Sequence, residues 1–206
     1  MIPYASRTGT RRNLKVLRDN GWRLMVSARG VLRNEGFPYS LDNGAWTAFQ
    51  KGEPFDEKAF VKAVDLLGAN ADFVVAPDIV AGGVASLAKS VSWLAWCLER
   101  TELVLIAVQD GLTAGQVMPY LGPRVGVFLG GSTDWKHNTM RAWGDTARAC
   151  GAYFHVGRIN SARFIRRCHD AGADSFDGSG PSRFAVEAER LSRELQQQPL
   201  FRGIPA

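Results

Sequence analysis

Apolar residues in this chain gather into short runs that break off into polar or glycine-bearing ends: YSLDNG at 39–44, FVVAPD at 73–78, LIAVQDG at 105–111, VFLGGS at 127–132 and DSFDG at 174–178. Continuous Val, Ile, Leu and Phe runs of this length fit parallel strands buried on both faces. RLMVSA at 23–28 and YFHVG at 153–157 read the same way. Between the runs the apolar spacing changes to three and four. Leu14 and Leu17 mark a helix over 11–19, opened by Thr10 and closed by Gly21. Phe60, Val64 and Leu67 follow Asp56, and Val84, Leu87, Val91, Leu94 and Leu98 form a longer stripe in which Trp93 and Trp96 are packing residues. Further helices are expected at TAGQVMPYL, over 137–150, over 160–171 with a start near Asn160 or Ser161, and over 182–197 with Phe184, Ala188, Leu191 and Leu195 inward.

Strand and helix therefore alternate, with strand tips near 42, 78, 109, 130, 157 and 177. That pace is the pace of βα units and predicts an α/β fold, a TIM-like (β/α) barrel forming one domain over 1–206. Seven strands are clear where the standard barrel has eight, so the barrel is incomplete or one strand is hidden; an open doubly wound sheet is the alternative. In a barrel the side chains just past the carboxyl ends of the strands converge. Asp42, Asp78, Gln109, Gly130, Gly131 and Asp177 would then line one bowl.

Composition narrows the classes. With 206 residues and 46% hydrophobic content the chain is long enough for one filled core. It has no apolar run of membrane-spanning length, and MIPYASRTGTRRN lacks the order of a signal peptide, so a cytoplasmic protein without membrane attachment is expected. Cys97, Cys150 and Cys168 are too widely spaced for a zinc knuckle and are expected to be reduced and buried. His137, His155 and His169 lack metal-pair spacing, which argues against a metal-dependent barrel hydrolase and leaves His155 in the core or behind the site. The net charge of +5 is compatible with a polyanionic partner. Arginines cluster at Arg7, Arg11, Arg12, Arg18 and Arg23, and again from Arg158 to Arg183; solvated helix faces explain these as well as nucleic acid does.

Carboxylates and amides at strand tips have a specific chemical use. Asp and Gln side chains with glycine backbone groups offer the acceptors and donors that grip the edge of a purine-like base. Breaking an N-glycosidic bond develops positive charge on the sugar. One carboxylate beneath C1′ can trap that charge covalently while a second moves protons.

GADSFDGSGPSR at 172–183 resembles the segment of the tRNA-guanine transglycosylases in which a Phe-Asp pair carries the nucleophile and Pro-Thr-Arg follows; here these are Phe176-Asp177 and Pro181-Ser182-Arg183. SLDNGAW at 40–46 is similar to that family's Asp-Ser-Gly-Gly-Phe segment. The resemblance implies Asp177 as nucleophile and Asp42 as the proton-handling carboxylate. It implies further that Asp78 of PDIV, Gln109 of AVQDG and Gly130-Gly131 of LGGS hold the base. Trp46 would stack on it, and Arg158, Arg183 and Lys136 would meet the nucleic-acid backbone. Asn43, Ala45 and Gly178 depart from the family pattern, which bears on pocket shape, and its zinc site of three cysteines and a histidine has no counterpart here.

A compact zinc-free chain is more similar to the phage and bacterial branch that exchanges guanine in DNA for a 7-deazaguanine such as preQ0. DNA is then the expected partner in preference to tRNA, with a free 7-deazaguanine or guanine base as co-substrate and no cofactor. A DNA glycosylase that leaves an abasic site and a non-catalytic nucleic-acid-binding barrel are the rivals.

Overall fold

The computed structural model describes residues 1–197. Eight parallel strands close into a barrel in chain order. They are β1 Ile2–Ser6, β2 Arg23–Ser27, β3 Tyr39–Asp42, β4 Val74–Val75, β5 Val104–Val108, β6 Val125–Leu129, β7 Phe154–Val156 and β8 Ser175–Gly178. The strand that periodicity missed is β1. Its five residues contain Pro3, which has no N–H to give a ladder and breaks the strand signal. Even so, β1 pairs in parallel with both β2 and β8 and sets Tyr4 opposite Asp177, completing the ring.

Around the barrel lie α1 Arg11–Asp19, α2 Ala45–Gln50, α3 Glu57–Leu67, α4 Gly83–Leu98, α5 Ala114–Val117, α6 Thr133–Ala149, α7 Ala162–Asp170, α8 Gly180–Arg183 and α9 Ala185–Gln197. The Asp56 carboxylate caps α3 by accepting from Ala59 N–H at 3.0 Å. Three helices differ from the periodicity. α2 is a six-residue helix too short to leave a pattern, and α6 starts at Thr133, four residues before position 137, because Ser132 caps it. The last helix restarts at Ala185: Phe184 is extended and 61% exposed, outside the expected inner face, while Ala188 and Leu191 are buried as the spacing requires.

On α4 the buried face carries Ser86, Leu87, Ser90 and Cys97, with Val84 57% exposed. The serines are inward because they hold the β4 tip. Ser90 Oγ donates to Pro77 O at 2.9 Å, and Ser86 Oγ accepts from Ile79 N–H at 3.1 Å. Trp93 and Trp96 pack on Phe60.

Apolar residues sort into two layers by strand parity. Leu24, Val26, Leu41, Ile106, Val127, Phe154, Val156 and Phe176 face outward, where they meet Leu17, Phe60, Trp143, Ile165 and Leu191 of the helices. The alternate positions Tyr4, Met25, Phe73, Val75, Leu105 and Ala107 fill the barrel itself. Fully burying each such side chain is worth about 1.5–3 kcal/mol. The inner layer is thereby a packed floor, and polar side chains sit at the carboxyl ends above it. Among the described residues no helix is long and apolar enough to cross a membrane.

Candidate active site

Two strands carry the same short pattern, Ser40-Leu41-Asp42 on β3 and Ser175-Phe176-Asp177 on β8. Leu41 and Phe176 point into the outer layer, so by strand alternation Asp42 and Asp177 point into the barrel mouth. Asp177 is buried and anchored through one oxygen. Its Oδ1 accepts from His155 Nε2–H at 3.0 Å and from Arg158 N–H at 3.3 Å. Oδ2 makes no hydrogen bond among the described residues, which leaves it for a reacting atom.

His155, fully buried, relays the anchoring. Its Nδ1 lies 2.7 Å from Ser175 Oγ, and its ring lies on Phe128 with centroids 4.8 Å apart. Its two ring nitrogens thus bridge the Ser175 hydroxyl and the Asp177 carboxylate. Parity on YFHVG carries the signal that finds this residue: Tyr153, His155 and Gly157 share the inward face.

Asp42 accepts from Gly44 N–H at 3.1 Å, while Ser27 Oγ, opposite it in the ladder, faces the carboxylate without a hydrogen bond of full geometry. Burial, reinforced by the charges of Asp177 and Asp78 and opposed by the Gly44 amide, pushes Asp42 up to about 6. Gly44 itself is required. Its φ is +82° and a Cβ there would stand 2.8 Å from Arg29 Cγ.

Asp78 follows β4, and burial raises it above the usual carboxylate range although Asn43 bonds to it. The buried Asn43 amide donates to Ala76 O at 2.7 Å and to Asp78 Oδ1 at 2.9 Å, tying the β3 and β4 tips together. Gln109 makes the next tie. Its Nε2 donates to Ile79 O at 2.8 Å and Ser86 Oγ at 2.6 Å, and its Oε1 accepts from Ala81 N–H at 2.6 Å. Both amide hydrogens are thus committed, one to the loop after β4 and one to α4, so Gln109 shapes the mouth from within the protein. Gly130 N–H is likewise committed, to Val108 O at 2.9 Å. Gly131, at φ +71°, lets Ser132 N–H reach Asp110 Oδ2 at 2.6 Å, and a Cβ on Gly131 would fall 2.6 Å from that same oxygen.

Arg158 spans the opening. Its guanidinium donates to Gly131 O and lies 4.8 Å from the ring centroid of Trp46, which is 41% exposed beside Phe49. Trp46 follows β3 and Arg158 follows β7, strands on opposite sides of the eight-strand ring. Arg183 stands apart, exposed at the end of α8. Lys136 is not on the surface at all: it is 2% exposed, and its ammonium donates to Gly157 O beneath the mouth. Burial, aided by Arg158 and opposed by Asp177, brings it down to about 8. Its ammonium stands among the buried groups beside Asp177, deeper than the exposed rim.

The mouth therefore brings together Asp42, Asp78, Asp177, His155 and Lys136 with Arg158 and Trp46 above them, while Gln109 and Gly130 act from behind. Among the described residues, no group of three or more His, Cys, Asp and Glu side chains is arranged to hold a metal ion. No family model matches the chain, and no curated protein does.

Proposed function

We propose that this protein exchanges a base in DNA, cleaving an N-glycosidic bond by attack of Asp177 on C1′ and re-forming it with an incoming 7-deazaguanine or guanine. The observation that carries the reading is the pairing of unlike carboxylates at one mouth. Asp177 has one oxygen anchored and one unengaged, whereas Asp42 is pushed up to about 6 and so both gives and takes a proton near neutrality.

The target nucleotide leaves the stack at a cost of about a few kcal/mol and passes Arg158 and the 41% exposed Trp46, where a base would displace the guanidinium from the ring to stack. Asp177 Oδ2 then bonds to C1′ as the C–N bond breaks. The electron pair leaves with the base, which takes the Asp42 proton. An incoming base returns a proton to Asp42, attacks C1′ and expels Asp177, so two inversions give net retention.

Hydrolysis of the intermediate to an abasic site is a second reading. It is favoured by the committed amide of Gln109 and the Asn43 bond on Asp78, which leave fewer groups to hold an incoming base. Labelled DNA incubated with and without preQ0 or guanine separates the two. Label exchange supports the first reading and abasic sites alone support the second. Neither product, or either product from folded Asp177→Asn protein, would refute the shared first step.

A further inference from the structure

Beside Asp177 the loops that follow β6 and β7 part to leave a cavity of about 230 Å³ lined by Lys136, His137, Arg158, Asn160, Ser161, Phe164 and the α6 start at Thr133. No carboxylate lines it. The buried Lys136 spends one of its three N–H groups on Gly157 O. His137 is clamped flat on Phe164, with centroids 3.7 Å apart and planes 7° from parallel, and both its ring nitrogens are buried with no partner among the described residues. A neutral imidazole retains one N–H to give, and a buried donor without an acceptor is unusual. The surrounding potential is positive. Burial, Arg167, Lys136 and Arg163 all act to keep the His137 ring uncharged, with only Asp134 opposing.

Two helices of 17 and nine residues, α6 and α7, begin at this cavity, adding the positive ends of their dipoles. The hydroxyl of Ser161, which precedes α7, is not spent on capping. Barrels commonly bind phosphate between the loops after strands 7 and 8 at the start of a short extra helix. Here that place is closed by the chain itself, since Gly180 N–H at the head of α8 donates to Asn160 Oδ1 at 2.8 Å. The cationic cavity lies one loop earlier.

Its distance from the chemistry is short. The wall between cavity and nucleophile is the backbone of Gly157 and Arg158: Arg158 N–H donates to Asp177 Oδ1 at 3.3 Å, and a Cβ on Gly157 would lie 3.4 Å from the same oxygen.

We propose that this cavity is a phosphate subsite for the phosphate attached to the sugar that Asp177 attacks, so that the substrate is a phosphorylated nucleoside unit, either a free 5′-nucleotide or one link of a strand. The inference rests on the nucleophile assignment above, but the site can be tested without turnover. Inorganic phosphate is titrated against wild type, Lys136→Met, His137→Phe and Asp177→Asn at matched ionic strength, following unfolding temperature and the His ring resonances. Phosphate is expected to stabilise wild type and Asp177→Asn alike and to perturb the His137 ring, with affinity at least tenfold weaker in folded Lys136→Met and His137→Phe.

Stabilisation no greater than that by chloride, or equal affinity in His137→Phe, overturns the subsite. Should Lys136→Met fail to fold, His137→Phe decides. Deoxyguanosine, its 5′-monophosphate and a short oligodeoxynucleotide then separate the sources. Base release from the monophosphate assigns a free nucleotide, release from the oligonucleotide alone assigns a strand, and equal release from deoxyguanosine refutes the proposal. Phosphate binding with base release unchanged in Asp177→Asn sinks the nucleophile while leaving an anion site. Asp177-dependent release without phosphate binding sinks the subsite alone.

Discussion

Replacing Asp42 by Asn should make the protein more stable, and only above the acid range. In the folded chain Asp42 titrates near about 6, against an ordinary value of 3.8. A raised carboxylate binds its proton more tightly folded than unfolded, so its contribution is complete below pH 3.8 and is lost as pH rises through about 6. At about 1.36 kcal/mol per pH unit, the ionised form carries a penalty of about 3 kcal/mol at pH 8.

Asn has no such penalty at any pH, and its amide oxygen still accepts from Gly44 N–H. For a chain of this size the gain corresponds to about 6–12 °C in unfolding temperature at pH 8 and to little at pH 4. Urea and thermal unfolding of both proteins at the two pH values measure it; carboxylates away from the mouth cancel in the comparison, while Asp78 and Asp177 are relieved of the Asp42 charge, which adds to the gain. A gain that is absent at pH 8, or equal at both pH values, would show that Asp42 is not the strained carboxylate described. The same variant should lose base release, because in the proposed exchange the residue that stores this penalty is the one that moves the proton.

Three other substitutions probe the mouth. His155→Phe keeps the packing against Phe128 but removes the bond to Asp177 Oδ1; it should lower base release at least tenfold while an unfolding scan shows a folded protein. Gln109→Met leaves Ala81 N–H, Ile79 O and Ser86 Oγ short of a partner and should cost about 1–3 kcal/mol in denaturant stability, whatever base is supplied. An unchanged stability with altered base preference would instead make Gln109 a direct reader. Gly131→Ala forces a Cβ to 2.6 Å from Asp110 Oδ2 at φ +71° and should destabilise by about 1–3 kcal/mol in the same assay.

The barrel was legible because both faces of a parallel strand are buried and the runs are long enough to show it. β1 was not, since Pro3 interrupts a five-residue strand whose burial comes only from closing the ring. Asp42 and Asp177 were legible as tip residues, and strand parity explains why both turn inward. The burial of Lys136 was not read from the sequence, because residue type outweighed position. It shares a helical stripe with the buried Met140, Trp143, Gly144 and Ala147, and that spacing carries the signal of its burial. Gln109 was read as an amide needing partners, which it is. That those partners are two backbone groups of the neighbouring loop and the Ser86 hydroxyl depends on the fold of residues 79–86, which no local pattern encodes. The serine face of α4 was obscured for the same reason, its hydroxyls answering to Pro77 and Ile79 instead of to helical periodicity.

The rim of the barrel is stitched from strand to strand by Asn43, Gln109, Asp110 and Asn160, each joining its own tip to a neighbouring one, Gln109 reaching back to the β4 side and the other three forward. Lengthening an outer loop leaves every stitch in place, whereas changing one of these four loosens two neighbouring segments at once. Drift among descendants is thereby steered toward the periphery. A lineage seeking a new substrate would reshape its loops first, and a copy that lost a stitch would forfeit the contour of its mouth long before its barrel came apart.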